Sequence, residues 1–390
     1  MHANGFTAPG YEGVAEAFTR NFTGSAEVGA AFAAYRDGRL VADLWGGSAD
    51  PDSGAPWRRD TLQLVFSGAK GLIAACVLLL AERGRLDLDA PAARYWPEFA
   101  AAGKSAITVT QIMSHQARLP GVRESFTTGQ FLDPVFMASL LAAQEPLTDP
   151  RAAFTYHPLT YGWLAAELIR RVDGRSAGTF FAEEFARPLD LDVWIGVPRE
   201  HHHRVATTHV APGFVFADPD APPTGDPLRD LARNPISVPD APALWNSADF
   251  RAAELPGAGA HGTARSLARF YACMARGGEL DGIRVLKETT LENGRRLLRH
   301  GIEPLWNGPM AYGTGFELQT ASAIFGPAPD AFGHAGMGGS RHAAWPTERV
   351  GFSYATNRLR SSPSPDPRPL RLLDALHAAV NSPADPASGR

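Results

Sequence analysis

Between Ser67 and Arg83 the chain puts small or apolar residues on nearly every face of a helix. A surface helix keeps one polar side, so a segment that is apolar all round is a helix wrapped by the rest of its domain. That requirement asks for neighbours on all sides. With 390 residues, 44% of them hydrophobic and 20% charged, the chain has the material to supply a sizeable core. The longest apolar run, Leu72–Leu80, is too short to cross a bilayer. Inside this segment sits Lys70. Lysine and arginine together number 37, and the only lysines are Lys70, Lys104 and Lys287. Arginine stays charged under ordinary conditions whereas a buried lysine can lose its proton, so a lysine in a buried helix asks for a chemical reason.

Around this helix the patterns fall into an order. Gly13–Phe22 reads as a helix, and Gly29–Tyr35 with Leu40–Trp45, split by Asp37-Gly38, reads as a hairpin. Thr61–Phe66 leads into the buried helix. Helices follow at Val109–His115, Phe136–Ala143, Tyr161–Val172, Gly178–Phe185 and Thr263–Ala275. Arg199–Gly257 is rich in Pro, Asp and His, and reads as a long functional loop, a pocket wall or lid. Tyr312–Leu318, His342–Trp345 and Gly351–Thr356 read as strands, and Pro369–Val380 as a closing helix. Strands at both ends with helices between them predict one α/β sheet assembled from residues 1–85 and 300–385. Residues 86–299 then form an inserted helix-rich domain, with a ligand cleft between the lobes.

Composition excludes several functions. A formal net charge of −4 gives no basic groove for nucleic acid and no membrane-surface patch. Cys76 and Cys273 lie in apolar helical contexts and make no disulfide framework. Met1–Gly10 lacks the basic and apolar regions of a secretory signal, so a cytoplasmic protein is expected. Two motifs suggest cofactors and fail. Gly257-Ala258-Gly259-Ala260-His261-Gly262 fits G-x-G-x-x-G, but Glu254-Leu255-Pro256 is a poor strand end for a dinucleotide site. His201-His202-His203 lacks an H-E-x-x-H pattern and reads as solvated histidines. Glu183-Glu184 reads as a solvated helix face. No cofactor or metal is expected.

The chemistry lies elsewhere. In Ser67-Gly68-Ala69-Lys70 a serine at a helix start shares a face with a lysine three residues on. Helix N-termini offer unpaired N–H groups that stabilise an oxyanion, and burial lowers the pKa of Lys70 so that it can take the proton of Ser67. The plainer reading is a serine cap followed by a surface lysine; the buried helix and the scarcity of lysine weigh against it. Phe154-Thr155-Tyr156-His157-Pro158 puts a tyrosine in a loop, where it serves as a proton relay or simply packs on a helix end. Gly333–Ser340 is a glycine-rich strand of the kind that lets a ligand or backbone come close.

In this order the three elements resemble the serine β-lactamase and penicillin-binding-protein superfamily, closest to class C β-lactamases and the family VIII carboxylesterases. The resemblance runs from about Gly29 to Thr356. Ser67-Gly68-Ala69-Lys70 stands for S-x-x-K, Val109–His115 and the turn at Gly121 for the structural helix after it, and Tyr156-His157-Pro158 for Y-x-N. Tyr161, Leu164 and Gly174 continue the pattern. His334-Ala335-Gly336 stands where lactamases carry K-T-G and esterase-like members H-x-G. The resemblance implies an α+β fold with an antiparallel sheet flanked by helices. It implies Ser67 as nucleophile, Lys70 and Tyr156 as base and relay, an oxyanion hole from the N–H groups of Ser67 and Met337, and His334 and Gly336 beside the substrate. Two departures matter. Pro158 replaces an asparagine that contacts the lysine and the substrate amide, and His334 replaces a lysine that helps bind the lactam carboxylate. Both favour a small or medium acyl ester over a lactam, with acyl transfer or amide hydrolysis as the alternative. A binding domain that has lost turnover is the non-enzymatic rival.

Overall fold

The computed structural model describes residues 3–23, 27–214, 222–234, 241–361 and 365–382. The largest sheet among them is ten-stranded and antiparallel. Its strands are β1 (Asn4–Thr7), β2 (Gly29–Arg36), β3 (Arg39–Asp50), β4 (Arg299–Ile302), β5 (Pro309–Tyr312), β6 (Glu317–Leu318), β7 (Phe332–Ala335), β8 (Arg341–Trp345) and β9 (Val350–Thr356), with Ala55–Pro56 paired to β3. The spatial order is β1-β3-β2-β9-β8-β7-β6-β5-β4. The two chain ends therefore meet at the β2–β9 pairing, where Ala30 faces Thr356 and Arg36 faces Val350. This is the antiparallel α+β sheet that the resemblance implied, assembled from both ends of the chain as the distribution of strands predicted.

Five helices position the site: α1 (Glu12–Arg20), α2 (Ala69–Glu82), α3 (Thr160–Asp173), α4 (Ala264–Ala275) and α5 (Pro367–Asn381). α1 and α5 cover one sheet face, over a core that includes Phe18, Phe32, Trp345, Phe352 and Leu372. α4 lies on the other face, although it belongs to the segment expected in the inserted lobe. Alanines make this approach close: Ala31 and Ala33 of β2 pack with Ala264, Ala268 and Ala272 of α4. A Cβ on Gly351 would stand 2.0 Å from the backbone nitrogen of Ala272. Thr263 caps α4 through the N–H of Ser266, and Gly174 closes α3 with φ 93°.

The all-apolar helix is where its pattern put it. Every residue of α2 from Ala69 to Leu80 is buried, and each fully buried Leu, Ile or Val there contributes about 1.5–3 kcal/mol. Cys76 and Cys273 are buried free thiols on α2 and α4.

Several expectations change. Arg199–Gly257 is not one structureless loop. It holds a 3₁₀ turn at Arg199–Arg204, a strand at His209–Val210, and helices at Pro227–Arg233, Ala241–Asn246 and Ala248–Ala252. Asp226 and Ser247 cap two of those helices, while Leu228, Trp245 and Phe250 are buried; short capped helices lack the length for a clear periodicity. Parts of this segment lie outside the described residues. Tyr312–Leu318 is two strands, broken at Gly313–Phe316 where Gly315 adopts φ 81°. The glycine-rich strand stops at Ala335 and turns through a 3₁₀ segment, Met337–Gly339, into β8. The exposed edge strands β1 and β4 carry too few apolar residues to be legible. Glu184 is no solvated residue: it pairs with Arg83 at 2.6 Å and with Arg175 at 2.8 Å. No helix of the described residues is long and apolar enough to cross a membrane.

Candidate active site

Ser67 is presented by a sharp turn. Gln63–Leu64 pairs with Ala260–Gly262, which pairs in turn with Val193–Ile195. Phe66 then takes φ 47°, an unfavourable value for a bulky residue, and the chain enters the 3₁₀ turn Phe66–Gly68 that continues as α2. Strain of this kind costs of order 1–3 kcal/mol; the buried Phe66 ring, set edge-on to Trp245 with centroids 5.2 Å apart, holds it in place. Gly68 must be glycine because a Cβ would stand 2.6 Å from Cδ2 of His342 on β8.

Lys70 is fully buried. Its Nζ lies 3.0 Å from Ser67 Oγ, 2.6 Å from the carbonyl oxygen of Pro158 and 2.7 Å from that of Gly257. Desolvation pushes the pKa of this amine well below the ordinary lysine value, and Glu317 offsets only part of that. A neutral amine has two N–H donors and one lone pair. The two carbonyls take the donors, which leaves the lone pair for the hydroxyl of Ser67. In the G-x-G-x-x-G stretch the Gly257 carbonyl accepts from Lys70, and His261 is buried, with Nδ1 3.0 Å from the Gly259 carbonyl. Gly257 is packed so tightly that a Cβ on Gly162 of α3 would fall 2.0 Å from its nitrogen.

Tyr156 is buried, with its ring centroid 5.0 Å from Lys70 Nζ. Burial, reinforced by Glu317 and Glu303, raises the phenol pKa, so Tyr156 is a protonated donor at neutral pH. The neighbouring His157 holds this loop. Its Nε2 accepts the N–H of Leu119 at 3.0 Å, which puts the proton on Nδ1, 2.6 Å from the Thr155 carbonyl. Burial pushes its pKa down to about 4, so the ring is a neutral staple. The backbone N–H of His157 donates to His115 Nδ1 at 3.0 Å.

The third element closes the site. Gly336 packs on the residue two before Ser67: a Cβ there would stand 2.4 Å from the Val65 carbonyl and 2.1 Å from Ser340 Oγ. This contact brings the turn at Met337, a partly buried residue, beside the start of α2. His334 is buried, with its ring 6.1 Å from that of Tyr156, and Nδ1 lies 2.8 Å from the Ala335 carbonyl and 3.5 Å from Glu317. Desolvation pushes its pKa well down, so His334 offers no cation to a substrate carboxylate. His202 and His203 of the histidine run bond the carbonyls of Val197 and Glu200.

The structure therefore brings Ser67, Lys70, Tyr156, His334, Gly336 and Met337 together. Sequence reasoning missed Gly257 and the backbone carbonyl of Pro158, since a carbonyl leaves no residue signature. It also missed the strain at Phe66. A surface cavity of about 560 Å³ lies around β4–β6 and contains none of these groups.

A half-buried serine at a helix start, faced by a neutral lysine and a protonated tyrosine, on an antiparallel sheet closed by both chain ends, defines a serine hydrolase of the β-lactamase type. Residues 16–377 match the family described as Beta-lactamase, and the chain belongs to that family. It is similar to Esterase/beta-lactamase LipL of Mycobacterium tuberculosis, 37% identical over 367 residues that cover 92% of this chain and 83% of that protein. A solved family VIII carboxylesterase is 37% identical with a TM-score of 0.89, over 97% of this chain and 100% of that one. A penicillin-binding-protein homologue from Caulobacter crescentus is 36% identical with a TM-score of 0.89, over the same shares.

Proposed function

We propose that this protein is a carboxylesterase that hydrolyses small to medium acyl esters through an acyl-enzyme on Ser67. The observation that carries the reading is Lys70, a fully buried amine 3.0 Å from Ser67 Oγ with both its donors engaged by carbonyls. Lys70 takes the proton of Ser67 as Oγ attacks the ester carbonyl carbon. The N–H groups of Ser67 and Met337 receive the oxyanion. As the tetrahedral intermediate collapses, the C–O bond to the alcohol breaks, Tyr156 gives its proton to the leaving oxygen, and Lys70 returns a proton to Tyr156. Water then repeats the sequence on the acyl-enzyme, releasing the acid and restoring Ser67.

Esters rather than lactams are favoured by two substitutions. The backbone carbonyl of Pro158 keeps the lysine contact at 2.6 Å, but proline has no side-chain amide for a substrate amide. His334 is neutral, so no cation waits there for a lactam carboxylate. The names of the similar proteins, an esterase/beta-lactamase and a family VIII carboxylesterase, support the same class. The test is peptide mapping after a fluorophosphonate, together with turnover of p-nitrophenyl butyrate and of a chromogenic cephalosporin. Label on Ser67 alone and a higher kcat/KM for the ester are expected. Label on Ser340, or a cephalosporin kcat/KM equal to the ester's, overturns the reading.

A further inference from the structure

The turn after β4 is organised by one carboxylate. Glu303 is buried, and its Oε2 accepts the N–H groups of Leu305 at 2.6 Å and Trp306 at 3.0 Å. Its backbone closes the same turn, with Glu303 N–H donating to Gly308 at 2.8 Å and Asn307 N–H donating to Glu303 at 2.8 Å. The other carboxylate oxygen, Oε1, leaves the turn and accepts the backbone N–H of Tyr156 at 3.2 Å. Hydrogen bonds to a charged acceptor are the strong ones, and three from one buried carboxylate lock two distant segments together.

The consequence is the placement of Trp306. Its neighbour Leu305 packs inward on a cluster of Leu147, Ala152, Leu228 and Leu231. Trp306 itself stands edge-on to Tyr156, centroids 5.3 Å apart at 71°, and yet is 51% exposed. A large aromatic ring that is fixed at its backbone, seated against a residue of the reactive cluster and left half open to solvent is ready to cover apolar ligand surface.

We infer that Trp306 is the wall that receives the alcohol part of the ester, and that Glu303 is a positioning residue that holds Trp306 and Tyr156 in register. The direction follows from the proposed chemistry, on which this inference rests: Tyr156 meets the leaving oxygen, so the group attached to that oxygen runs past the Tyr156 ring towards Trp306. The class of substrate selected is an ester of an aromatic or extended apolar alcohol.

The test compares 2-phenylethyl acetate, methyl acetate and methyl phenylacetate on the full chain, which separates an apolar alcohol from an apolar acyl group. Trp306→Ala should cut the preference for 2-phenylethyl acetate over methyl acetate about ten-fold, through KM, the scale of one lost apolar contact in a pocket. An equal loss on the two acetates, or a larger loss on methyl phenylacetate, overturns the inference. Glu303→Gln should lower kcat on all three esters and reduce the same preference. A Glu303→Gln enzyme with a lower melting temperature but wild-type kcat and preference overturns the positioning role. A wild type active on all three, with the preference unmoved by Trp306→Ala, leaves the esterase reading standing and sinks this one. A wild type inactive on every ester overturns both.

Discussion

Lys70 is fully excluded from solvent and Arg368 exposes 1% of its surface, but their surroundings are opposite. Arg368, in the first turn of α5, lies among carboxyl groups. Its Nε donates to both oxygens of Asp366 at 3.1 and 3.0 Å, and its Nη1 donates to Glu27 at 3.1 Å. Nη2 reaches the Gly338 carbonyl at 2.7 Å, beside Met337. Among the described residues Lys70 forms no ion pair; it meets two carbonyls and a hydroxyl. Burying a charge is expensive unless it is paired or discharged. Guanidinium cannot discharge, so the arginine needs carboxylates and becomes a permanent clamp between the two chain ends and the Met337 turn. The amine can discharge, so burial without a bonded counter-charge favours its neutral form, the form that the proposed function uses as a base. The same burial yields a strut in one place and a proton acceptor in the other, and the chemistry of the nitrogen decides which.

The strongest way to break this comparison is to remove the amine. Lys70→Met keeps an unbranched side chain of similar bulk and removes the amine, so kcat should fall by the 10²–10⁴-fold typical of a lost general base. Lys70→Arg should be about as inactive, and it should also melt lower, because among the described residues no carboxylate forms an ion pair at this position. Measured kcat with thermal melts separates the two effects. A Lys70→Met enzyme that keeps most of its activity would show that the lysine is not the base. The pH profile sharpens the point. Protonated Lys70 cannot accept from Ser67, so kcat/KM should rise with pH through an apparent pKa well below 10.5.

How far this contrast could be read in advance depends on where the signal sat. The all-apolar run from Leu72 to Leu80 announced a buried helix, and the two runs split by Asp37-Gly38, with Gly351–Thr356 near the other end, announced a sheet built from both ends. Ser67, Lys70 and Tyr156 were legible because the proposed chemistry rests on their side chains, in an order and spacing that the resemblance supplied. Pro158 was legible only as a loss. Its carbonyl in fact keeps the lysine contact, and nothing in a residue name reports a carbonyl. Gly257 was hidden behind a nucleotide-like glycine pattern whose real cause is the close packing of Gly162. Glu303, Glu27 and Arg368 were invisible, since a buried carboxylate or guanidinium has the same letter as a surface one. Only tertiary contact distinguishes them.

The arginine side of the comparison makes a second, smaller prediction. Burial outweighs the pull of Arg368 and pushes the carboxyl of Glu27 up to about 7, from an ordinary 4.5. Between those values the folded protein holds a proton that the unfolded chain has released. Stability from this group is therefore complete below about pH 4.5 and falls as pH rises to about 7. Melting temperatures between pH 5 and 8 should decline, and Glu27→Gln, which stays neutral throughout, should flatten that decline. An unchanged slope in Glu27→Gln would mean that Glu27 is already ionised beside Arg368, making the clamp a full ion pair across this range.

Lys104 supplies the smallest effect and the cleanest control, because its immediate company resembles that of Lys70. It too is fully buried, and its Nζ donates to the carbonyls of Ala101 at 2.7 Å and Gln144 at 2.5 Å, with the Phe99 ring 5.5 Å away. Desolvation lowers its pKa as well. What differs is the third direction: among the described residues no hydroxyl is bonded to Lys104, whereas Lys70 faces Ser67. The carbonyls it binds lie at the ends of the turn Pro97–Gly103 and the helix Pro134–Ala143, where a donor satisfies groups that the helix leaves open. Lys104→Met should therefore cost about 1–3 kcal/mol in stability, the scale of a buried acceptor left unsatisfied, and leave kcat within about two-fold of wild type. Urea unfolding and ester turnover on the same preparation measure both. If Lys104→Met instead lowers kcat as far as Lys70→Met does, with the fold intact, then burial against two carbonyls is not what separates the two lysines. The assignment of the base would then have to be made again from the beginning.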